Sequence, residues 1–130
     1  MLHSAISYLG KPTLAFEVGE TAHSGRIADT NAKNTIQVPT ITLSDLVKKM
    51  PKKEELVLVV DIEGAEYEMF KNEPKEIFYK IENVIVEIHP KLFVSSGNSE
   101  IDFLKILNEK GFSILRRIEN VLLLKCPINR

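Results

Sequence analysis

The chain has 130 residues, 44% of them hydrophobic, so it is long enough to form one domain with its own core. Its 17 basic and 18 acidic residues give a formal charge of −1, so there is no electrostatic case for binding nucleic acid or an anionic membrane. A single cysteine, Cys126, excludes an intramolecular disulfide, and no apolar run approaches the roughly 20 residues that span a bilayer. These features predict a single domain over residues 1–130, located in the cytoplasm.

The N-terminal segment contains two short extended stretches, at residues 5–6 and 14–16. Gly10 and Pro12 lie between them and are typical of a turn, so the pattern predicts a hairpin. Residues 19–33 have few large apolar side chains, which predicts a long loop. Loops of this length are either binding loops or disordered segments, and the sequence leaves both open.

A strand is predicted at residues 35–38, ended by Pro39. A helix then follows, because apolar residues recur at helical spacing behind the capping candidates Thr42 and Ser44. Pro51 ends that helix.

Two strands of successive apolar residues follow, at 56–60 and 84–86, and a helix connects them. Such strands are typical of parallel neighbours in a sheet that is covered on both faces, because a half-exposed strand would alternate with polar residues. Pro74 ends the connecting helix by residue 73, and a further helical turn around Ile77 and Phe78 leads into the second strand.

Ionisable residues stand directly after both strands: Asp61 and Glu63 after the first, Glu87 and His89 after the second. Ligands bind at the carboxyl ends of the strands in open α/β sheets, so we expect these four side chains along one rim. Each has a structural alternative. Asp61 is equally suited to capping the turn, Glu63 to solvation, and His89 to a hydrogen bond at the strand end.

After Pro90, residues 91–98 are predicted to form a loop. A helix then begins behind Asn98 or Ser99 with Asp102 in its first turn, and Gly111 is placed to cap its end. Residues 112–115 and 121–124 are predicted to pair as an antiparallel hairpin around a short turn at residues 119–120.

The segments at residues 38–46, 60–67 and 86–90 together resemble the C-terminal part of an FkbM-type methyltransferase. The resemblance implies an α/β fold: a partial Rossmann-like, class I methyltransferase sheet with parallel central strands, a C-terminal antiparallel hairpin and helices on both faces. It implies transfer of a methyl group from S-adenosylmethionine to a hydroxyl of a sugar or other natural product. Within that reading, Asp61, Glu63, Glu87 and His89 are the candidate catalytic residues, with His89 as general base. Residues 22–26 match a small-residue loop near the active-site mouth.

The cofactor motifs of such enzymes are not found in this sequence. A Gly-rich turn after the first strand and an acidic residue after the second normally hold S-adenosylmethionine, whereas the six glycines here are scattered. The resemblance therefore covers the back half of the family fold, and no cofactor-binding residue is assigned. In the family strand order, the strand at 56–60 would become a sheet edge. We expect residues 1–38 to cover it or a homodimer to form through it.

Three functions are compatible with this pattern. The first is an FkbM-type methyltransferase acting on a small-molecule hydroxyl acceptor, inactive alone if truncated. The second is a non-catalytic remnant that binds or dimerises through the sheet edge. The third is a metal-dependent hydrolase that uses the cluster of Asp61, Glu63, Glu87 and His89 as ligands.

Overall fold

The computed structural model describes residues 3–17, 26–27, 34–51 and 55–128. The chain divides into two compact units, Met1–Thr42 and Leu43–Arg130, each with its own four-stranded sheet. The fold is mixed α/β. None of the helices in the described part of the chain is both long and apolar enough to cross a membrane.

The first unit is a small sheet. Its strands are β1 (Ala5–Ile6), β2 (Thr13–Glu17), β3 (Arg26–Ile27) and β4 (Thr35–Ile41), in the order β1-β4-β2-β3. Strand β4 lies between β1, to which it is parallel, and β2, to which it is antiparallel. The predicted hairpin of the first two strands is therefore wrong, because a strand from later in the chain separates them.

Pro39 lies inside β4 and does not end it. It stands opposite Thr13, and the backbone N–H of Thr40 donates to the carbonyl of Pro12 at 3.0 Å, so pairing continues past the proline. Within the predicted loop, Arg26–Ile27 pair with Phe16–Glu17 as the short strand β3. The rest of residues 19–33, including most of the small-residue loop at 22–26, lies outside the described residues.

The second unit holds five helices and four strands within its described residues. They are α1 (Leu43–Lys48), β5 (Leu56–Val60), α2 (Glu66–Asn72), α3 (Lys75–Phe78), β6 (Ile81–Glu87), α4 (Pro90–Ser95), α5 (Glu100–Glu109), β7 (Ser113–Ile118) and β8 (Val121–Lys125). The sheet order is β5-β6-β8-β7. Strands β5 and β6 are parallel, and β8 is antiparallel to both of its neighbours. The predicted parallel pair and C-terminal hairpin are confirmed.

Local chemistry sets the helix ends. Ser99 and Asp102 form a reciprocal capping box at the start of α5. Gly111 has φ 85°, and the N–H of Phe112 donates to the Leu107 carbonyl at 3.0 Å, which closes that helix with a Schellman motif. The predicted loop at 91–98 is wrong, since α4 occupies most of it with Pro90 as its first residue, a position that suits proline's fixed φ.

The core of this unit is aromatic. The ring of Phe70 lies 5.4 to 5.5 Å from those of Phe78, Phe103 and Phe112. This cluster belongs to a core completed by buried sheet residues from β6 and β8: Val84, Val86, Leu122 and Leu124. Helix α2, which supplies Phe70, is thereby anchored in the core of the unit.

The opposite face of the sheet carries exposed apolar residues. Val57 is 58% exposed and Val59 is 70% exposed, and Ile85, which stands opposite Val59, is also exposed. The prediction that both faces are covered is therefore wrong for this sheet. Consecutive valines alternate between the two faces whatever packs there, so the run of apolar residues did not reveal that one side is open.

Strand β5 is an edge strand. Its one neighbour among the described strands is β6, and β1 to β4 pair with one another. No described residue of the range 1–38 pairs with β5, and covering of the edge by that range stays a prediction. Association of two copies through this edge stays a prediction.

Candidate functional site

The turn after β5 presents the acidic side chains of Asp61 and Glu63. Glu63 and Gly64 both adopt positive φ, at 51° and 97°, which brings the chain from Val60 into α2 within five residues. A Cβ at Gly64 would lie 2.9 Å from the Cβ of Leu92 in α4. Glycine at this position therefore permits the turn and α4 to approach each other closely.

His89 stands where β6 gives way to α4. Its carbonyl accepts the N–H groups of Leu92 and Phe93, at 2.9 and 3.2 Å, and Pro90 follows as the first helical residue. The preceding residue, Ile88, is fully buried and donates its N–H to the Asn120 carbonyl at 2.9 Å. The backbone of His89 is thus fixed from both sides.

The structure brings three of the four predicted side chains together. The Nε2 atom of His89 lies 3.5 Å from Oε2 of Glu63 and 3.7 Å from Oδ1 of Asp61. One donor atom from each of the three lies within 4.8 Å of the others. Glu87 is not a member of this group. It ends β6 opposite Val121 and is exposed.

A fourth residue, Glu66, completes the site and was not singled out from the sequence. Its side chain is fully buried, and its Oε1 lies 2.8 Å from both the backbone nitrogen and Nδ1 of His89. Its Oε2 accepts the N–H of Gly64, also at 2.8 Å. An ionised carboxylate only accepts hydrogen bonds, so Nδ1 carries the hydrogen and Nε2 faces Asp61 and Glu63. The sequence signal was a glutamate among the apolar residues of α2.

The surroundings of His89 favour its charged form. Partial burial, the largest single influence, lowers the pKa of the imidazole. The hydrogen bond with Glu66 and the negative charges of Glu66, Glu63 and Asp61 act in the opposite direction and together raise the pKa above its ordinary value. The site therefore has a high proton affinity at Nε2.

A groove of about 790 Å³ lies apart from this cluster. It is near the amino ends of β5 and β6, with Met50, Leu56, Tyr79 and Ile81 in its lining. Asp61 and His89 follow the carboxyl ends of the same two strands. We therefore do not assign this groove to the His89 site.

Residues 3–114 match the family model described as Methyltransferase FkbM domain. The chain belongs to the FkbM methyltransferase family. No curated protein and no solved structure matches it. The FkbM match includes all four residues of the site, and it ends within β7.

Membership of the FkbM methyltransferase family implies S-adenosylmethionine as methyl donor. The nucleoside of S-adenosylmethionine is normally held where glycines in a turn allow the backbone to approach the cofactor closely. The six glycines of this sequence include no pair spaced as G-x-G. The residues present therefore do not form the familiar cofactor turn.

Proposed function

We propose that this FkbM chain is an S-adenosylmethionine-dependent O-methyltransferase whose site around His89 activates the acceptor hydroxyl. The observation that carries the proposal is the contact of His89 Nδ1 with the buried carboxylate of Glu66 at 2.8 Å. This contact fixes the ring and leaves Nε2 as the atom available to an acceptor. A histidine oriented by a carboxylate is the usual arrangement for a general base.

The residues of the site have separate tasks. Nε2 of His89 takes the proton from an acceptor hydroxyl, and the resulting imidazolium is stabilised by Asp61 and Glu63, 3.7 and 3.5 Å away. Glu66 orients the ring from the other side. A base of this kind contributes about 10²- to 10⁴-fold to a rate. The fitting acceptor is a small molecule with hydroxyl groups, because the two carboxylates facing it are also hydrogen-bond acceptors for further hydroxyls.

The sheet topology supports the same proposal. Strands β5 and β6 are parallel and β8 is inserted antiparallel between β6 and β7. This order agrees with the back half of a Rossmann-like class I methyltransferase sheet. In such sheets ligands bind at the carboxyl ends of the parallel strands, and all four site residues follow those ends.

The test combines cofactor binding with methyl transfer. The purified chain is titrated with S-adenosylmethionine by calorimetry and then incubated with the methyl-labelled cofactor and a panel of sugars and polyols. We expect labelled product, and we expect His89→Gln to lose at least 100-fold in rate. Glu76→Gln, an exposed carboxylate on α3, is the matched control and should retain the rate. The Glu87→Gln variant tests whether Glu87, which the sequence also predicted to be catalytic, contributes to the rate.

Two results would contradict the proposal. One is saturable cofactor binding without label in any hydroxyl compound. The other is transfer that His89→Gln leaves unchanged. Absence of cofactor binding at millimolar concentration would show that the chain alone is not a methyltransferase.

We also propose a second function, association of two copies through β5. The supporting observation is an edge strand whose residues on the exposed face of the sheet, Val57 and Val59, are 58% and 70% exposed. An edge of this kind has unpaired N–H and C=O groups, and a second copy of the same strand is able to pair with them about a two-fold axis. Pairing would continue the apolar face across both copies.

Sedimentation of the wild-type chain and of Val57→Lys tests this association. We expect a dimer for the wild type and a monomer for the variant, because a charge on a strand edge opposes pairing. Val94→Lys is the control, since Val94 is comparably exposed on α4. A wild-type monomer at about 100 μM would exclude a stable dimer, as would a dimer that Val57→Lys does not disturb.

A further inference from the structure

We propose that Asp61, Glu63 and His89 bind a divalent transition-metal cation. The inference uses the site of the proposed function, but it does not require methyl transfer. The three residues come from two separate turns, after β5 and after β6, and they direct one nitrogen and two carboxylate oxygens at a common point.

The distances suit a cation. Nitrogen and oxygen ligands lie roughly 2.0 to 2.2 Å from Zn²⁺, so two ligand atoms on one ion are about 3.4 Å apart in tetrahedral geometry and about 3 Å apart in octahedral geometry. The observed separations from Nε2 are 3.5 Å to Glu63 and 3.7 Å to Asp61. Both carboxylate side chains are more than half exposed, at 60% and 59%, so small rotations bring them to ligand distance.

The histidine distinguishes this site from a group of surface acids. Its Nδ1 hydrogen is held by Glu66, which is fully buried and is not one of the three ligands. Nε2 therefore has its lone pair directed at the two carboxylates. Metal-binding histidines are commonly oriented in this way, by a carboxylate on the nitrogen that does not touch the metal.

The ligand set also indicates which ion binds. An imidazole nitrogen favours Zn²⁺ over Mg²⁺ and Ca²⁺, which prefer oxygen alone, and the two carboxylates also suit Mn²⁺. Two carboxylates neutralise the charge of the ion. Three protein ligands leave coordination positions open on the side where Asp61 and Glu63 are exposed, and a hydroxyl bound there has a lowered pKa. A cation and a proton compete for the single lone pair of Nε2, so the cation-bound state is distinct from the cation-free state in which His89 acts as the base.

Binding is measured on the whole chain after treatment with a chelator. MnCl₂ is added while free Mn²⁺ is followed by electron paramagnetic resonance, and melting temperature is followed with Mn²⁺, Zn²⁺, Mg²⁺ and Ca²⁺. We expect saturable binding of one Mn²⁺ per chain and a rise in melting temperature with Mn²⁺ and Zn²⁺. Mn²⁺ should broaden the His89 ring signals before those of the other two histidines.

The variants Asp61→Asn and Glu63→Gln should each weaken Mn²⁺ binding at least tenfold, because each removes one of the three proposed ligand atoms. Both variants should remain folded without the cation, because both side chains are exposed. Glu109→Gln, an exposed carboxylate at the end of α5, should bind like the wild type. The proposal is overturned if the wild type shows no saturable binding, or if neither variant weakens it. Labelled methyl transfer that persists in chelator, without cation binding, would refute this inference and leave the proposed function intact.

Discussion

His89 donates two hydrogen bonds to one oxygen of Glu66, a residue 23 positions earlier in the chain. One comes from its backbone N–H and one from Nδ1, each at 2.8 Å. The pair links the first turn of α2 to the start of α4, so the same contact that orients the imidazole also holds two helices in place.

Removing this carboxylate should destabilise the fold. In Glu66→Gln an amide NH₂ group replaces one carboxylate oxygen, so at least one of the three N–H groups that donate to this side chain loses its acceptor. We expect the free energy of unfolding to fall by about 1.5 to 3 kcal/mol, the range for hydrogen bonds to a charged group. Urea denaturation measures it, with exposed Glu76→Gln as the control. A loss below about 0.5 kcal/mol would show that the contact does not hold the helices.

The pKa of His89 should be measurable by its ring proton shifts against pH, in chelator. We expect a value above that of an ordinary histidine, and a lower one in the Asp61→Asn, Glu63→Gln double variant, which removes two of the charges that raise it. A double variant with an unchanged pKa would mean that these charges do not act on the ring.

The same shift gives stability a pH dependence. A group whose pKa is higher in the folded state stabilises the fold fully below its unfolded pKa, and this contribution disappears as pH rises through the folded pKa. The difference in unfolding free energy between the wild type and His89→Gln should therefore shrink as pH increases from about 6 through the raised pKa. A difference that grows over this interval would contradict the sign of the shift.

Substitution of Gly64 should be costly for two reasons that are separable. Gly64→Ala forces a side chain into φ 97° and places its Cβ against Leu92. Gly97→Ala carries only the first penalty, since φ is 77° and nothing lies within 4 Å. We expect about 1 to 2 kcal/mol for Gly97→Ala and a larger loss for Gly64→Ala, measured by thermal or urea unfolding. Equal losses would show that the contact with Leu92 relaxes freely.

Glu73 should cap the start of helix α1, although it lies 29 positions after Ser44 in the chain. It is buried, and its carboxylate accepts the backbone N–H of Ser44 at 3.0 Å and the hydroxyl of the same residue, at the start of α1. We expect Glu73→Ala to lower the unfolding free energy by about 2 kcal/mol. A double-mutant cycle with Ser44→Ala should show coupling, and additive losses would argue against the hydroxyl contact.

Local signals predicted much of the second unit correctly. The capping residues around Ser99 and Gly111 and the stop at Pro74 all act within a few residues, and the helices they bound are observed. The missed helix α4 also had a local signal, proline at its first position, but the serines and glycine that follow favoured a loop.

The predictions that were wrong or incomplete concern contacts between residues far apart in the chain. The pairing of β1 with β4 joins residues 35 positions apart, as Ala5 with Thr40, and no local pattern reports it. The predicted rim of ionisable side chains was correct for Asp61, Glu63 and His89, because strand ends meet at one sheet edge. The role of Glu66 was missed because a glutamate in the first turn of a helix has a sufficient local explanation, a favourable interaction with the helix dipole.

The position of Glu66 on α2 also determines how the site fails on heating. Tyr67, Met69 and Phe70 follow it directly and are all buried, Phe70 within the aromatic cluster. A site built on a mobile loop is lost at temperatures where the rest of the protein persists, because loops open locally at little cost. Here the carboxylate that orients His89 belongs to a helix whose neighbouring residues are buried in the core of the second unit, so heat inactivation should coincide with the cooperative unfolding of that unit.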